Sequence, residues 1–446
     1  MGPLDSRMKK ILPARSLNVN FILDNSRWIS AMKKMHLLLL LCLMSPFTAM
    51  AASSPAQSGE MPSSSTTTLT ILYTGGTEGR LETCSCERDE AGGIAPRIAR
   101  LREIEKEVGR QNLLVVDAGR ICWREDPLDQ KRTSSYLALM AFAGYDIVNF
   151  SATDLLYGPA YLRTELARAP WAWLASNLKS PEARFRSEFE VTKAGRRIAF
   201  LGLTQANDPQ SLPNGWQLGD PVETARAFLA NNTADLKVIL SDLSHDANRQ
   251  LCIDGLGGDI MIGALEGLGS EQIGNTAVFR SSLQGKTMGR INVSWSDRSQ
   301  KKWTDIDGNA VDLGDPNNPL NHDLEARQRI VLFYQTVAKE DSATSSPLFA
   351  DLAIEKLPGN AYVGAEECRK CHDETYGKWS QTPHSQSFKS LLRGQRQFFP
   401  ECLRCHTTDA RAGSTFSILQ THWPASRARF AMGLEPCTPK PQRKVA

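Results

Sequence analysis

The sequence predicts an α/β layered body followed by a short, mainly helical tail. Apolar runs of strand length alternate with stretches whose apolar residues recur at helical spacing, the pattern of stacked strand and helix layers. Two segments rich in Ser, Thr, Pro and Gly, Ser53–Thr68 and Asp341–Asn360, bracket the body, and the tail beyond the second is rich in cysteine.

Each element follows from its residues. Leu69–Tyr73 (L-T-I-L-Y) is an apolar strand, and Ala95–Val108 sets Ile98, Leu101, Ile104 and Val108 on one helical face. Leu113–Asp117 (L-L-V-V-D) reads as a buried strand and Ser134–Phe142 as a helix. Asp146–Phe150, Trp171–Ala175, Arg197–Leu203, Leu236–Leu240 and Asp259–Ile262 continue the strand series, with helices at Tyr161–Ala167 and Val222–Ala230.

The N-terminal region reads as an export signal. From Met32 the chain runs M-K-K-M-H-L-L-L-L-L-C-L-M-S-P-F-T-A-M-A. Lys33 and Lys34 form a charged start, Leu37–Met44 an apolar stretch, and Ala49-Met50-Ala51 an A-x-A cleavage site. Residues 32–51 are thus a signal peptide, Cys42 is discarded with it, and the mature chain begins at Ala52. Residues 1–31 precede a complete signal and read as a start assigned too far upstream. The apolar stretch is too short to span a membrane, and no later one reaches the roughly 20 apolar residues a helix needs. Lys plus Arg 52 against Asp plus Glu 49 gives a net charge of +3, which implies no nucleic-acid partner.

The tail repeats one pentad. Glu367–His372 reads E-C-R-K-C-H and Glu401–His406 reads E-C-L-R-C-H, in a chain with only 10 Cys and 7 His. Covalent attachment of haem c needs two thiols a short turn apart to add across the porphyrin vinyl groups, and an imidazole immediately after them to bind the iron. Cys368 and Cys371 with His372, and Cys402 and Cys405 with His406, supply these groups twice. A zinc knuckle built from the same thiols is the alternative, but it leaves both histidines without a role. Two covalent haems also place the mature protein outside the cytoplasmic membrane, in agreement with the signal. A tail of residues 361–446 with few aliphatics lacks a core of its own, which haems would supply.

The body carries a resemblance. T-I-L-Y-T-G-G-T-E-G (70–79), G-G-I-A-P-R-I-A-R-L (92–101), L-L-V-V-D-A-G-R (113–120), G-Y-D-I-V-N-F-S-A-T-D-L-L-Y-G (144–158), L-S-D-L-S-H (240–245), D-I-M-I-G-A-L-E-G (259–267) and G-K-T-M-G-R-I-N-V (285–293) follow the block order of periplasmic 5'-nucleotidases, which are calcineurin-like metallophosphatases. The resemblance implies a four-layer α/β/β/α sandwich with a two-metal site on loops at the strand ends. The ligands do not carry over. Gly75-Gly76-Thr77-Glu78-Gly79 stands where the family has N-D-x-H-G, and Gly119-Arg120 stands where it has G-D. Ser151-Ala152-Thr153-Asp154 replaces the G-N-H-E segment, and Gly263-Ala264-Leu265-Glu266 replaces G-H-x-H. Among these positions His245 is the one placed as a metal-binding histidine of the family, a vestige that cannot hold two metals.

Other groups stand near this rim. Cys84, Cys86 and Cys122 with His245 could bind one zinc or iron, to which Glu78 and Asp154 could add an oxygen. Alternatively Cys84 and Cys86 form a redox thiol pair, and Cys122 and Cys252 are small buried apolar residues. The C-x-C loop followed by G-G-x-A resembles nucleotidase-like proteins fused to multihaem cytochromes, which implies the redox role.

The tail resembles multihaem cytochromes c of nitrogen- and sulfur-cycle respiration through Y-V-G-A-E-E-C-R-K-C-H-D-E-T-Y-G-K-W-S-Q-T-P-H-S-Q-S-F (362–388) and P-E-C-L-R-C-H (400–406). That layout implies His384 as a distal haem ligand. Tyr376 and Trp379 lie on one helical face past His372 and could cover a porphyrin. Glu435-Pro436-Cys437 starts a third motif that is not completed, and His422 and Met432 are candidate distal ligands for the second haem. The expected organisation is thus a linker at 52–68, a degenerate metallophosphatase-like domain at 69–340, a linker at 341–360 and a dihaem cytochrome c domain at 361–446. The expected function is periplasmic electron transfer with redox proteins as partners, and the alternative is a metal-dependent 5'-nucleotidase with a haem appendage.

Overall fold

The computed structural model describes residues 66–82, 92–296 and 302–343 except 183, 207, 209–211, 265–266 and 316–317, and in the tail 369–394, 396, 402 and 406. The chain divides into two compact units, 1–63 and 64–446. The first unit, with the expected signal peptide, lies outside the described residues.

Two sheets form the centre of the second unit. The first runs β15-β14-β1-β2-β3-β4-β6, with β1 Thr67–Thr74, β2 Leu113–Asp117, β3 Ile147–Asn149, β4 Ala172–Leu174, β6 Phe185–Arg186, β14 Gly289–Trp295 and β15 Asp305–Ala310. From β1 to β6 the pairing is parallel, while β14 and β15 are antiparallel. The second runs β12-β13-β11-β10-β8-β7, with β7 Phe189–Lys193, β8 Arg196–Leu203, β10 Leu236–Ser241, β11 Ile260–Gly263, β12 Gly269–Ile273 and β13 Thr276–Arg280. Its centre, β8-β10-β11-β13, is parallel. A small ribbon pairs β5 Leu178–Lys179 with β9 Gln217–Leu218.

The layering follows from side-chain alternation. Leu69, Ile71, Tyr73, Leu114 and Val116 face Ile198, Phe200, Val238, Leu240, Ile260 and Ile262 across the two sheets. The intervening Leu72, Leu113, Val115 and Val148 turn outward, onto helices α1 Ile94–Val108, α2 Pro127–Ala143, α3 Gly158–Arg168 and α6 Leu324–Ala343. On the opposite side Ala199, Leu201, Leu203, Ile239 and Met261 meet α4 Pro221–Asn231 and α5 His245–Ile253. Three apolar seams make four layers, α/β/β/α, and strands buried on both faces read as unbroken apolar runs. Emptying the middle seam by Phe200→Ala would cost about 3–5 kcal/mol.

The expected strands and helices all form, with shifted ends. The largest shift is α2, which begins seven residues before Ser134. Asp126 caps it by accepting from the Asp129 N–H at 2.7 Å, Pro127 occupies its first turn, and Gly144 closes it in the left-handed region at φ 82°. Its polar first turns hide an ion pair of Asp129 and Arg132 that is almost wholly buried, so the apolar period starts late. Helix α6 packs Ala326, Ile330, Tyr334 and Val337 into the outer seam. The carboxyl ends of β1, β2, β3, β8, β10 and β11 deliver their loops to one edge of the sandwich, where open α/β sheets place their sites.

Candidate functional site

Two places carry chemistry, the tail pentads and the loop rim of the sandwich. In the tail, helix α7, Asp373–Ser380, starts directly after His372. It is supported by Arg369 to Asp373 and Lys378 to Glu374 pairs at 2.9 and 2.7 Å, both at i,i+4 spacing. Tyr376 and Trp379 share a face of α7, ring centroids 5.8 Å apart. Trp379 is buried, and its indole N–H has no hydrogen-bond partner among the described residues. His384 is exposed in the 3-10 turn Pro383–Gln386, and helix α8, Ser387–Gly394, follows, burying Phe388 and Leu391.

His406 is held by α8. Its Nδ1 lies 2.7 Å from the Ser387 carbonyl oxygen and 3.2 Å from Ser390 Oγ, and Ser387 Oγ donates to the His406 carbonyl at 3.3 Å. A carbonyl oxygen only accepts, so Nδ1 carries the proton and Nε2 keeps the lone pair that ligates a metal. Cys371 is exposed and Cys402 half-buried, and neither is in a disulfide. Each pentad thus presents one described thiol and its histidine, while Cys368 and Cys405 lie outside the described residues. A thiol beside each histidine, an imidazole fixed in the ligating tautomer and an orphaned indole N–H in a buried aromatic face all fit haem c.

The rim is a cluster of buried acids and hydroxyls. Asp154, in the 3-10 turn Ala152–Tyr157, accepts from the Ile121 and Cys122 N–H groups at 2.8 Å each and from the Ser151 N–H at 3.2 Å. Burial pushes its carboxyl up to about 7 despite these donors, with Asp242 adding to the rise. Asp242, directly after β10, accepts from Ser151 Oγ and from the Gln205 N–H, and burial raises it to about 6. Asp117, at the end of β2, is likewise raised to about 6 by burial while it accepts from Thr74 Oγ1 at 2.6 Å. Burial also raises Glu78, against the opposing charge of Arg80, and Arg120 lies close enough to oppose the rise of both Glu78 and Asp242.

The backbone here is unusual. Of the non-glycine residues in the left-handed region, Glu78 at φ 52°, Arg120 at 63° and Gln284 at 62° meet at this rim, the kind of strain that collects at sites. Gly76, at φ 60°, is pressed so close to the β11 loop that a Cβ would stand 2.4 Å from the Ala264 carbonyl oxygen.

His245 opens α5, capped by Ser244, and is half-buried. The residue that β10 itself delivers to the cluster is Asp242, which the sequence reading passed over although it follows the apolar run L-K-V-I-L-S directly. Cys122 Sγ contacts the Asp154 carbonyl at 3.6 Å, and burial, with Asp154 and Asp129 nearby, holds its thiol well above the usual range. Cys252 is a core residue against Met261. Cys84, Cys86, Leu265, Glu266, His422, Met432 and Cys437 lie outside the described residues. Among the described residues no three of His, Cys, Asp and Glu are grouped to hold a metal ion, and no helix is long and apolar enough to cross a membrane.

The comparisons with known proteins match both halves. Residues 367–426 match the family model of cytochrome c554 and c-prime. A comparison with curated proteins gives no match. In fold, the chain is similar to a 5'-nucleotidase precursor from Thermus thermophilus, at TM-score 0.50 and 20% identity over 62% of this chain and 60% of that one. It is similar to the Thermus thermophilus sulfate thiohydrolase SoxB at 0.50 and 14%, over 63% and 62%. The calcineurin-like phosphoesterase YfkN from Bacillus subtilis gives 0.50 and 18%, over 61% and 98%. This chain therefore spans about three fifths of the length of the first two structures. It joins a calcineurin-like phosphoesterase fold, of the kind seen in 5'-nucleotidases, to a tail that matches the family model of cytochrome c554 and c-prime.

Proposed function

We propose that the chain is a dihaem c-type cytochrome that transfers electrons in the periplasm, exported by the signal at 32–51, and that its α/β domain is a phosphoesterase fold without the two-metal chemistry. The observation that carries this reading is His406, whose Nδ1–H is spent on the Ser387 carbonyl so that Nε2 is reserved for iron. Haem c, held through Cys368, Cys371, Cys402 and Cys405, supplies the one-electron step. His372, His406 and His384 would ligate the haem iron. The Tyr376 and Trp379 rings would cover one face of the porphyrin.

The rim supports the loss of hydrolysis. Two-metal catalysis needs carboxylates and imidazoles bridging cations about 3.5–4 Å apart. Gly76 has no room for an acidic side chain, Arg120 brings a cation, and Asp154 and Asp242 are turned onto backbone N–H groups and Ser151. The domain then serves docking or a thiol-redox role through Cys84 and Cys86. Redox proteins of the same compartment are the partners.

Denaturing electrophoresis tests the haem reading. Four thioether bonds hold both haems through denaturation, so the band keeps haem stain, and Cys371→Ala or Cys405→Ala weakens it by removing one thioether at its own pentad. A band that loses all stain after acid extraction overturns the reading.

A further inference from the structure

Among the described residues of the tail, the Arg396 guanidinium and the Cys402 thiol touch the α/β body. Arg396 follows α8, with its N–H donating to the Leu391 carbonyl at 2.9 Å. Its guanidinium pairs with Glu82 at 2.5 Å and stands 5.1 Å from the centroid of the Tyr334 ring. Glu82 follows the β1 loop, and Tyr334 is buried in α6. Cys402 packs against the same apolar seam that contains Ile330, Tyr334 and Val337.

An ion pair with side chains 40% and 32% exposed is worth little alone. Here it acts with a cation–π contact to Tyr334 and with the packing of half-buried Cys402 against the same outer seam. Helix α8 joins these contacts to the iron-binding side: its first residue fixes the His406 ring, and Arg396 just beyond its end grips the body. The thiol and the imidazole of the second pentad are therefore both referred to the body.

We propose that Arg396 latches the second haem-attachment pentad onto the α/β body, making Glu82 and Tyr334 a wall of the second haem's site. This rests on the haem reading, and it gives the phosphoesterase fold a task, that of fixing the surroundings of the second haem. Arg396 is in this account a positioning residue.

The test uses the haem-loaded full chain with Arg396→Gln, Glu82→Gln and Arg396→Lys. Amide exchange is followed in α6 and α8, and a potentiometric titration resolves the two haems. In both Gln variants exchange should quicken several-fold in both helices, and the midpoint of one haem should move while the other stays. Arg396→Lys, which keeps the charge and the ring contact, should stay near wild type. Wild-type exchange in both Gln variants, or both midpoints moving together, would overturn the latch. A wild-type chain without covalent haem would fail the haem reading instead, and the exchange arm would still decide the latch.

Discussion

The Nδ1 atom of His406 lies 2.7 Å from the carbonyl oxygen of Ser387. The bond orients the ring and leaves on Nε2 the lone pair a metal ligand needs. His406→Ala should leave the haem attached through Cys402 and Cys405 but convert one of the two irons to a high-spin or vacant-site spectrum, restored by added imidazole. Ser390→Ala should change little, because the carbonyl remains. Both haems staying low-spin in His406→Ala would count against the assignment.

His384 stands exposed on the turn between α7 and α8. If His384 is a distal ligand, its haem would be six-coordinate, and His384→Ala should open that iron to carbon monoxide. Ligation by two imidazoles also favours a lower potential than Met/His ligation. An unchanged spectrum and no carbon monoxide binding would leave His384 a surface residue.

At the rim, hydrolysis should be absent. The full chain supplied with manganese, cobalt or zinc should show no 5'-nucleotidase or phosphodiesterase turnover. Metal-dependent turnover that vanishes in His245→Ala or Asp242→Asn would restore the enzyme reading. With no turnover, ready reaction of Cys84 and Cys86 with a thiol probe would favour a redox role over docking alone.

Most of this arrangement is legible in the sequence because both sheets are covered on both faces. Runs such as L-L-V-V-D and R-I-A-F-L-G-L have no polar register to confuse them. The start of α2 is not legible, since Asp129 and Arg132 look like surface residues until their partners are known. Asp242 is missed for a related reason: an acid after a strand is ordinary, and only the fold brings it to Ser151 and Arg120. The C-x-x-C-H pentads are legible as chemistry, but the carbonyl that fixes His406 belongs to a helix nineteen positions earlier.

The buried acids predict a pH effect. Asp154 has an ordinary value of 3.8 and a folded value near 7. Below about 4 both folded and unfolded chains hold the proton, and between about 4 and 7 only the folded chain does, so stability falls as pH rises through this window. Each tenfold change in proton affinity is worth roughly 1.4 kcal/mol. Asp154→Asn, which can still accept from Ile121 and Cys122, should flatten the fall in denaturant midpoint between about pH 4 and 7. An equal fall in wild type and variant would show that Asp154 is ionised throughout.

The central claim is tested most directly by an optical spectrum of the exported chain, oxidised and then reduced, with haem iron and zinc quantified per polypeptide. The account predicts a low-spin c-type spectrum that sharpens on reduction, two haem irons per chain and no zinc in the tail. A colourless chain carrying one zinc on the four cysteines of the two pentads would contradict it.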